Sequence, residues 1–173
     1  MAKREKGNRR IQQTTLIIVG EGSHEKAFLT HMKVIYTLRN SGQKVSIVKG
    51  DGGSPYDVIK STIKKSSHAA FDYKFILMDN DVPIKQQEYD LAKKQNIELL
   101  LSTPLCLEGM LLEVIGQNPS NTAEACKKLL HPQLSGKPTE PYSYENLFTK
   151  IVLDETNKST IVRLREVLAD VKT

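Results

Sequence analysis

Three acidic motifs carry the chemistry open to this chain. Glu21 sits in GEGSHE (20–25), Asp79 and Asp81 in MDND (78–81), and Glu108 in STPLCLEGMLL (102–112). Two carboxylates separated by one residue, as Asp79 and Asp81 are, point the same way if a strand runs through both, leaving Asn80 on the other face. Placed beside Glu21, that pair would bring together three negative charges, which cannot all stay ionised without a cation between them. A hard, oxygen-seeking ion such as Mg²⁺ or Mn²⁺ resolves the conflict and keeps positions open for water and phosphate. The expected chemistry is metal-assisted phosphoryl transfer or hydrolysis. Asp51, in GDGGSP (50–55), reads as a turn former. His24 reads as a solvated side chain, and His31, His68 and His131 have no partner at ligand spacing, so zinc is not suggested. Cys106 and Cys126 read as buried thiols, with no disulfide pattern.

The elements that must position these residues follow from hydrophobic periodicity. Thr15–Gly20 is a short β-branched run closed by glycine, the pattern of a strand buried on both faces. After it, Phe28, His31, Met32, Ile35 and Leu38 recur at helical steps, with Ser23 as the expected N-cap and an end near Asn40–Gly42. Val45–Val48, Tyr73–Met78 and Ile97–Leu101 read as further strands. Between them fall a helix after Pro55, with Val58, Ile59 and Ile63 on its apolar face, and a surface helix over Ile84–Gln95. Strands alternating with helices predict a mostly parallel, Rossmann-like sheet of about four strands with helices on both faces. Helices are expected at Cys106–Ile115, Ala123–His131, Tyr144–Ile151 and Ser159–Val171, with a mobile loop over Pro132–Ser143. In such a sheet, ligands gather beyond the carboxyl ends of the strands, and an acidic residue stands at each of those ends here.

The chain has 173 residues, the length of one domain, with 25 Lys and Arg against 20 Asp and Glu. Much of the net charge of +5 lies in the first ten residues, where Lys3, Arg4, Lys6, Arg9 and Arg10 face only Glu5. The expected organisation is a flexible basic arm at 1–13, an α/β domain at 14–116 and a helical extension at 117–173 packed on it. A basic arm adds salt-dependent attraction to phosphate but no sequence specificity. Lys26, Lys49, Lys64 and Lys65 are further candidates for gripping a polymer, and Lys150 for stabilising developing charge. No apolar run approaches membrane-spanning length and no signal peptide is legible, so the expectation is a soluble cytoplasmic protein. With 6% aromatics and no Trp, a base-stacking platform is not expected.

GEGSHEKAF (20–28), ILMDND (76–81) and STPLCLEGMLL (102–112) together resemble the RloB-like branch of the Toprim superfamily. The likeness spans about Thr15–Gly116. His24 stands where that pattern commonly has Thr, and Met110 where it often has Trp. The resemblance implies a Toprim-like fold and Mg²⁺-dependent work on nucleic acid, with RNA or tRNA cleavage in defence against phage as the expected activity. It implies Glu21 as the acid or base of the site, Asp79 and Asp81 as metal ligands, and Glu25 and Glu108 as accessory acids.

The expected protein is therefore a metal-dependent nuclease, with Glu21, Asp79, Asp81 and Glu108 catalytic and Glu21, Glu25, Asp79 and Asp81 around the ion. Nucleic acid is the expected partner, with homo-oligomerisation as a way to grip it. Two alternatives remain at this point. One is a non-catalytic subunit whose acids bind metal, nucleic acid or protein. The other is an α/β phosphatase using the first Asp of MDND as nucleophile, although that motif belongs on a first strand and Pro83 does not suit it.

Overall fold

The computed structural model describes residues 13–171. The basic arm, with Lys3, Arg4, Lys6, Arg9 and Arg10, lies outside the described residues. Four strands, β1 (Thr14–Gly20), β2 (Gln43–Lys49), β3 (Tyr73–Asp79) and β4 (Ile97–Ser102), form one all-parallel sheet in the order β2-β1-β3-β4. The α/β, Rossmann-like architecture expected from the sequence is what the chain adopts.

Both faces of the sheet are covered, as an all-parallel sheet requires. Along β1, Ile17 and Val19 point to one side and pack with Val58 and Ile59 of α2 (Pro55–Ser66) and Ala92 of α3 (Gln86–Lys94). Leu16 and Ile18 point to the other side. They share a core with Phe28 and Met32 of α1 (Ser23–Tyr36), Leu111 of α4 (Leu107–Val114), Cys126 of α5 (Ala123–Leu130), and Leu164 and Leu168 of α7 (Ser159–Asp170). The C-terminal helices thus complete the same core as α1. Among the described residues, no helix is long and apolar enough to cross a membrane.

Three boundaries differ from the periodicity, each for a local reason. Helix α1 stops at Tyr36, and Leu38 is 71% exposed, because Thr37 turns extended and its hydroxyl donates to the Leu168 carbonyl. The helix expected over Tyr144–Ile151 is instead a 3-10 turn at Pro141–Tyr144 followed by α6 (Lys150–Glu155), where the Thr149 hydroxyl accepts from the Val152 amide and starts the helix late. The segment read as a mobile loop, Pro132–Ser143, is pinned. Leu134 and Ser143 are buried, Ser135 bonds the Ser143 carbonyl through both its amide and hydroxyl, and the Tyr144 hydroxyl donates to the Pro138 carbonyl.

Candidate functional site

β1 and β3 are neighbours, but β1 leads to β2 on one side and β3 to β4 on the other. Their loops therefore diverge, and a crevice opens between them, which is where open α/β sheets bind ligands. The register sets what lines it. Gly20 pairs with Leu77, so β3 runs two residues past the end of β1. The Glu21 amide donates to the Leu77 carbonyl, and the Glu21 carboxylate turns back to accept from the Asp79 amide at 2.9 Å. Residues at the ends of two different strands are joined in this way.

Gly20 is required where it stands. A Cβ there would lie 2.7 Å from the Lys26 amide nitrogen and 2.8 Å from the Glu25 Cβ, so only glycine lets α1 start against the strand end. Gly22, not Ser23, is the N-cap of α1. It has no side chain to cap with, and Glu25 supplies the bond instead by accepting from the Gly22 amide at 2.8 Å. That bond draws the Glu25 carboxylate into the cleft and leaves the residue 7% exposed.

On the far side of the cleft, Asp79 accepts from the Leu107 amide at 2.9 Å, in the first turn of α4. One residue on, Glu108 is 2% exposed, and one of its oxygens, Oε1, lies 2.9 Å from His24 Nδ1 and 2.9 Å from His131 Nε2. The other oxygen, Oε2, is buried with no hydrogen-bond partner. Lys127 of α5 and Thr139 close the rim of an open cleft of about 390 Å³ that Glu21, His24, Glu25 and Asp79 also line.

Electrostatically this is a site short of positive charge. Burial, reinforced by Glu25, pushes Asp79 up to about 7 against the pull of the Leu107 amide. Burial also raises Glu21 and Glu25, each of which has acidic neighbours. Glu108 is the exception: burial works to raise it too, but hydrogen bonds from the two imidazoles outweigh that and hold it at about 2. His24 is raised in turn by its bond to Glu108, against the effect of burial.

The fold brings Glu21, Glu25, Asp79 and Glu108 together. Asp81 stands apart: β3 ends at Asp79, so the alternation that would aim both aspartates alike does not extend to Asp81, which is exposed beyond the strand. Its charge is still felt by Glu21. Lys26, Lys49 and Lys64 are exposed, while Lys65 pairs with Asp51, which also accepts from Ser61. Lys150 pairs with Asp154 on α6 and does not line the cleft.

Two expectations about histidine are overturned. His24 is not simply solvated, and His131, which has no partner at ligand spacing in the sequence, meets both Glu108 and His24 because α5 packs against α4. His24, Glu108 and His131 form a group that could hold a metal ion, their ligand atoms lying within 4.8 Å of one another. Neither His131 nor Lys127 carries a local sequence signal; only the packing of α5 brings them here. Both cysteines are free and buried, as expected.

A larger hollow, of about 640 Å³, lies at the amino ends of β3 and β4, between Tyr89, Lys93 and Asn96. It sits at the wrong end of the sheet for a strand-end ligand site. Comparison with protein-family models, curated proteins and solved structures returns no match. Fold and site by themselves define an α/β, Rossmann-like protein with an acidic cleft at its switch point and a His–Glu–His group beside it.

Proposed function

We propose that this chain is a Mg²⁺-dependent nuclease of the Toprim type, cutting RNA, with tRNA the first substrate to test and phage defence the setting. One observation carries the reading. Glu21 and Asp79, far apart in the chain, meet at the switch point with Glu25 beside them, in an open cleft whose carboxylates are held above their ordinary range.

By its chemistry the donor set suits a hard divalent ion, although the group that brings ligand atoms within 4.8 Å among the described residues is His24, Glu108 and His131. The cleft's donor set is all oxygen and partly buried, and it carries repulsion that a cation relieves. Glu21, Glu25 and Asp79 would hold the ion; Asp81, exposed beyond the end of β3, reaches Glu21 only through its charge. Bound there, Mg²⁺ supplies Lewis-acid polarisation of the phosphoryl oxygen and neutralises charge in the transition state.

The protein's own groups do the rest. The Leu107 amide fixes Asp79, and the Asp79 amide fixes Glu21, so neither carboxylate must reorganise when substrate arrives. Glu21, its proton affinity raised by burial, suits proton transfer at the attacking or leaving oxygen. Lys127 on the rim is placed to hold a phosphate. The exposed aspartate of MDND is Asp81, whereas Asp79 is tied to α4 through Oδ1, which does not suit a nucleophile that must form an acyl phosphate.

Purified protein incubated with mixed tRNA, single-stranded RNA and plasmid DNA in Mg²⁺ or Mn²⁺ tests the proposal. Cleavage of RNA that falls at least ~100-fold in both Glu21→Gln and Asp79→Asn is expected. Cleavage that persists in both variants removes the site assignment. No cleavage of any polymer, with Asp79-dependent Mg²⁺ binding intact, would make the chain a binding subunit instead.

A further inference from the structure

Beside the all-oxygen cleft lies a group of different chemistry. His24 projects from the first turn of α1, Glu108 from the first turn of α4, and His131 from just past the end of α5. α1 and the consecutive pair α4 and α5 aim two imidazole nitrogens at a single carboxylate oxygen, each at 2.9 Å. The rings themselves meet edge to face, 4.9 Å between centroids and 88° between planes.

A hydrogen-bonding role alone accounts poorly for this arrangement. A carboxylate offers about four lone-pair sites over its two oxygens. Here both donors crowd Oε1, while Oε2 is buried without a partner. Leaving a buried carboxylate oxygen unsatisfied is costly, and two donors serving a structural carboxylate would be expected to divide between its oxygens. Ion ligation removes the difficulty. Both nitrogens stand 2.9 Å from Oε1, and all three ligand atoms lie within 4.8 Å of one another, close enough to share one ion. The oxygen left without a hydrogen-bond partner is accounted for by a carboxylate held for an ion.

We infer that His24, Glu108 and His131 form a binding site for one borderline divalent transition ion, Zn²⁺ or its Co²⁺ surrogate, separate from the oxygen-lined Mg²⁺ position. Two imidazoles and one carboxylate are the donors that select such ions over Mg²⁺, whose ligands are oxygens. With three protein ligands the ion keeps open positions, as catalytic and not structural zinc sites do. His24 also lines the cleft, so the group adjoins the opening that Glu21 and Asp79 share. The site stands whether or not the chain cuts nucleic acid.

The test uses the full chain, stripped with a chelator and titrated with Zn²⁺ by calorimetry in excess Mg²⁺, with Co²⁺ absorption as a second readout. One ion per chain is expected. Affinity should fall on the order of 10–100-fold or more in His24→Gln and in His131→Gln, because even outer-shell partners of a metal carry that much. Glutamine keeps an N–H donor for Glu108, so a merely structural role would leave these variants unaltered in melting temperature and in any ion binding. Asp79→Asn should retain the Zn²⁺ site. The inference is overturned by three results: no Zn²⁺ binding in the micromolar range, binding untouched by both histidine substitutions, or binding lost in Asp79→Asn and kept in His131→Gln. Circular dichroism of each variant confirms that the fold is intact, and the nuclease assay is run separately, so failure of one reading leaves the other standing.

Discussion

Asp79 shows how burial and neighbouring acids act on a single carboxyl. Its carboxyl is pushed up to about 7 by burial and by Glu25, so near pH 6 metal-free protein holds a proton there that the unfolded chain has already released. A carboxylate with a raised folded-state value contributes stability that is fully present below its unfolded value and is lost as pH rises through the folded one. Metal-free protein should therefore lose stability between about pH 4 and about pH 7, and Asp79→Asn should lose less of it. The advantage of the variant at pH 8 is on the order of 1 kcal/mol or more, since a tenfold change in proton affinity corresponds to about 1.4 kcal/mol. Mg²⁺ should stabilise the native protein and not the variant. Thermal melts with and without Mg²⁺, on either side of that window, decide this. A variant that melts lower than the native chain on the alkaline side, without Mg²⁺, would show that Asp79 is not under repulsion. The imidazoles make the opposite case at Glu108, where the same kind of burial ends in a depressed value because two donors reach the carboxylate.

At the scale of elements, the site depends on how closely α4 sits against the loop that leads to it. A Cβ on Gly109 would lie 2.5 Å from the Pro104 carbonyl oxygen and 3.5 Å from Cys126 Sγ. Alanine is the better helix former by about 1 kcal/mol, so an exposed helical glycine would gain from the change. Here the backbone contact wins. Gly109→Ala should destabilise the protein by about 1–3 kcal/mol, the cost of overpacking, and move the adjacent Glu108 away from its imidazoles. A melting temperature equal to or above that of the native chain would show that α4 has room to spare. Most of these elements were legible as local patterns. The four strands are short apolar runs, and the turn-rich GDGGSP marks the approach to α2. Periodicity misses the ends that are decided from a distance. Leu38 fits the apolar stripe of α1, yet Thr37 is taken by a carbonyl of α7.

Across the whole molecule, α7 is as much part of the core as α1. Leu164 and Leu168 are fully buried in the cluster that holds Leu16 and Phe28, and Gln43 at the start of β2 donates to the Leu168 carbonyl. Bonds from Arg163 to Glu98 tie the same helix to β4. Leu164→Ala should cost about 2–5 kcal/mol, as deletion of a buried leucine does. A chain ending at 116 should fail to fold, because Phe28, Leu111 and the strand faces would lose their cover. Chemical denaturation of the full chain should then show one transition by circular dichroism and by tyrosine fluorescence. Two separated transitions would mean that the α/β part stands alone.

The order of strands and helices, and the placing of acids at strand ends, were determined by the sequence itself, because β-branched runs, helical periodicity and glycine act within a few residues of one another. That is why Glu21 and Asp79 could be named from GEGSHE and MDND before any geometry was known. Only the tertiary structure decided which acids share a cleft and which bases join them. Asp81 falls outside because β3 ends two residues before it, and Glu25 falls inside because it caps a helix whose N-cap is glycine. His131 and Lys127 enter because α5 packs on α4, a contact between segments whose local patterns say nothing about one another.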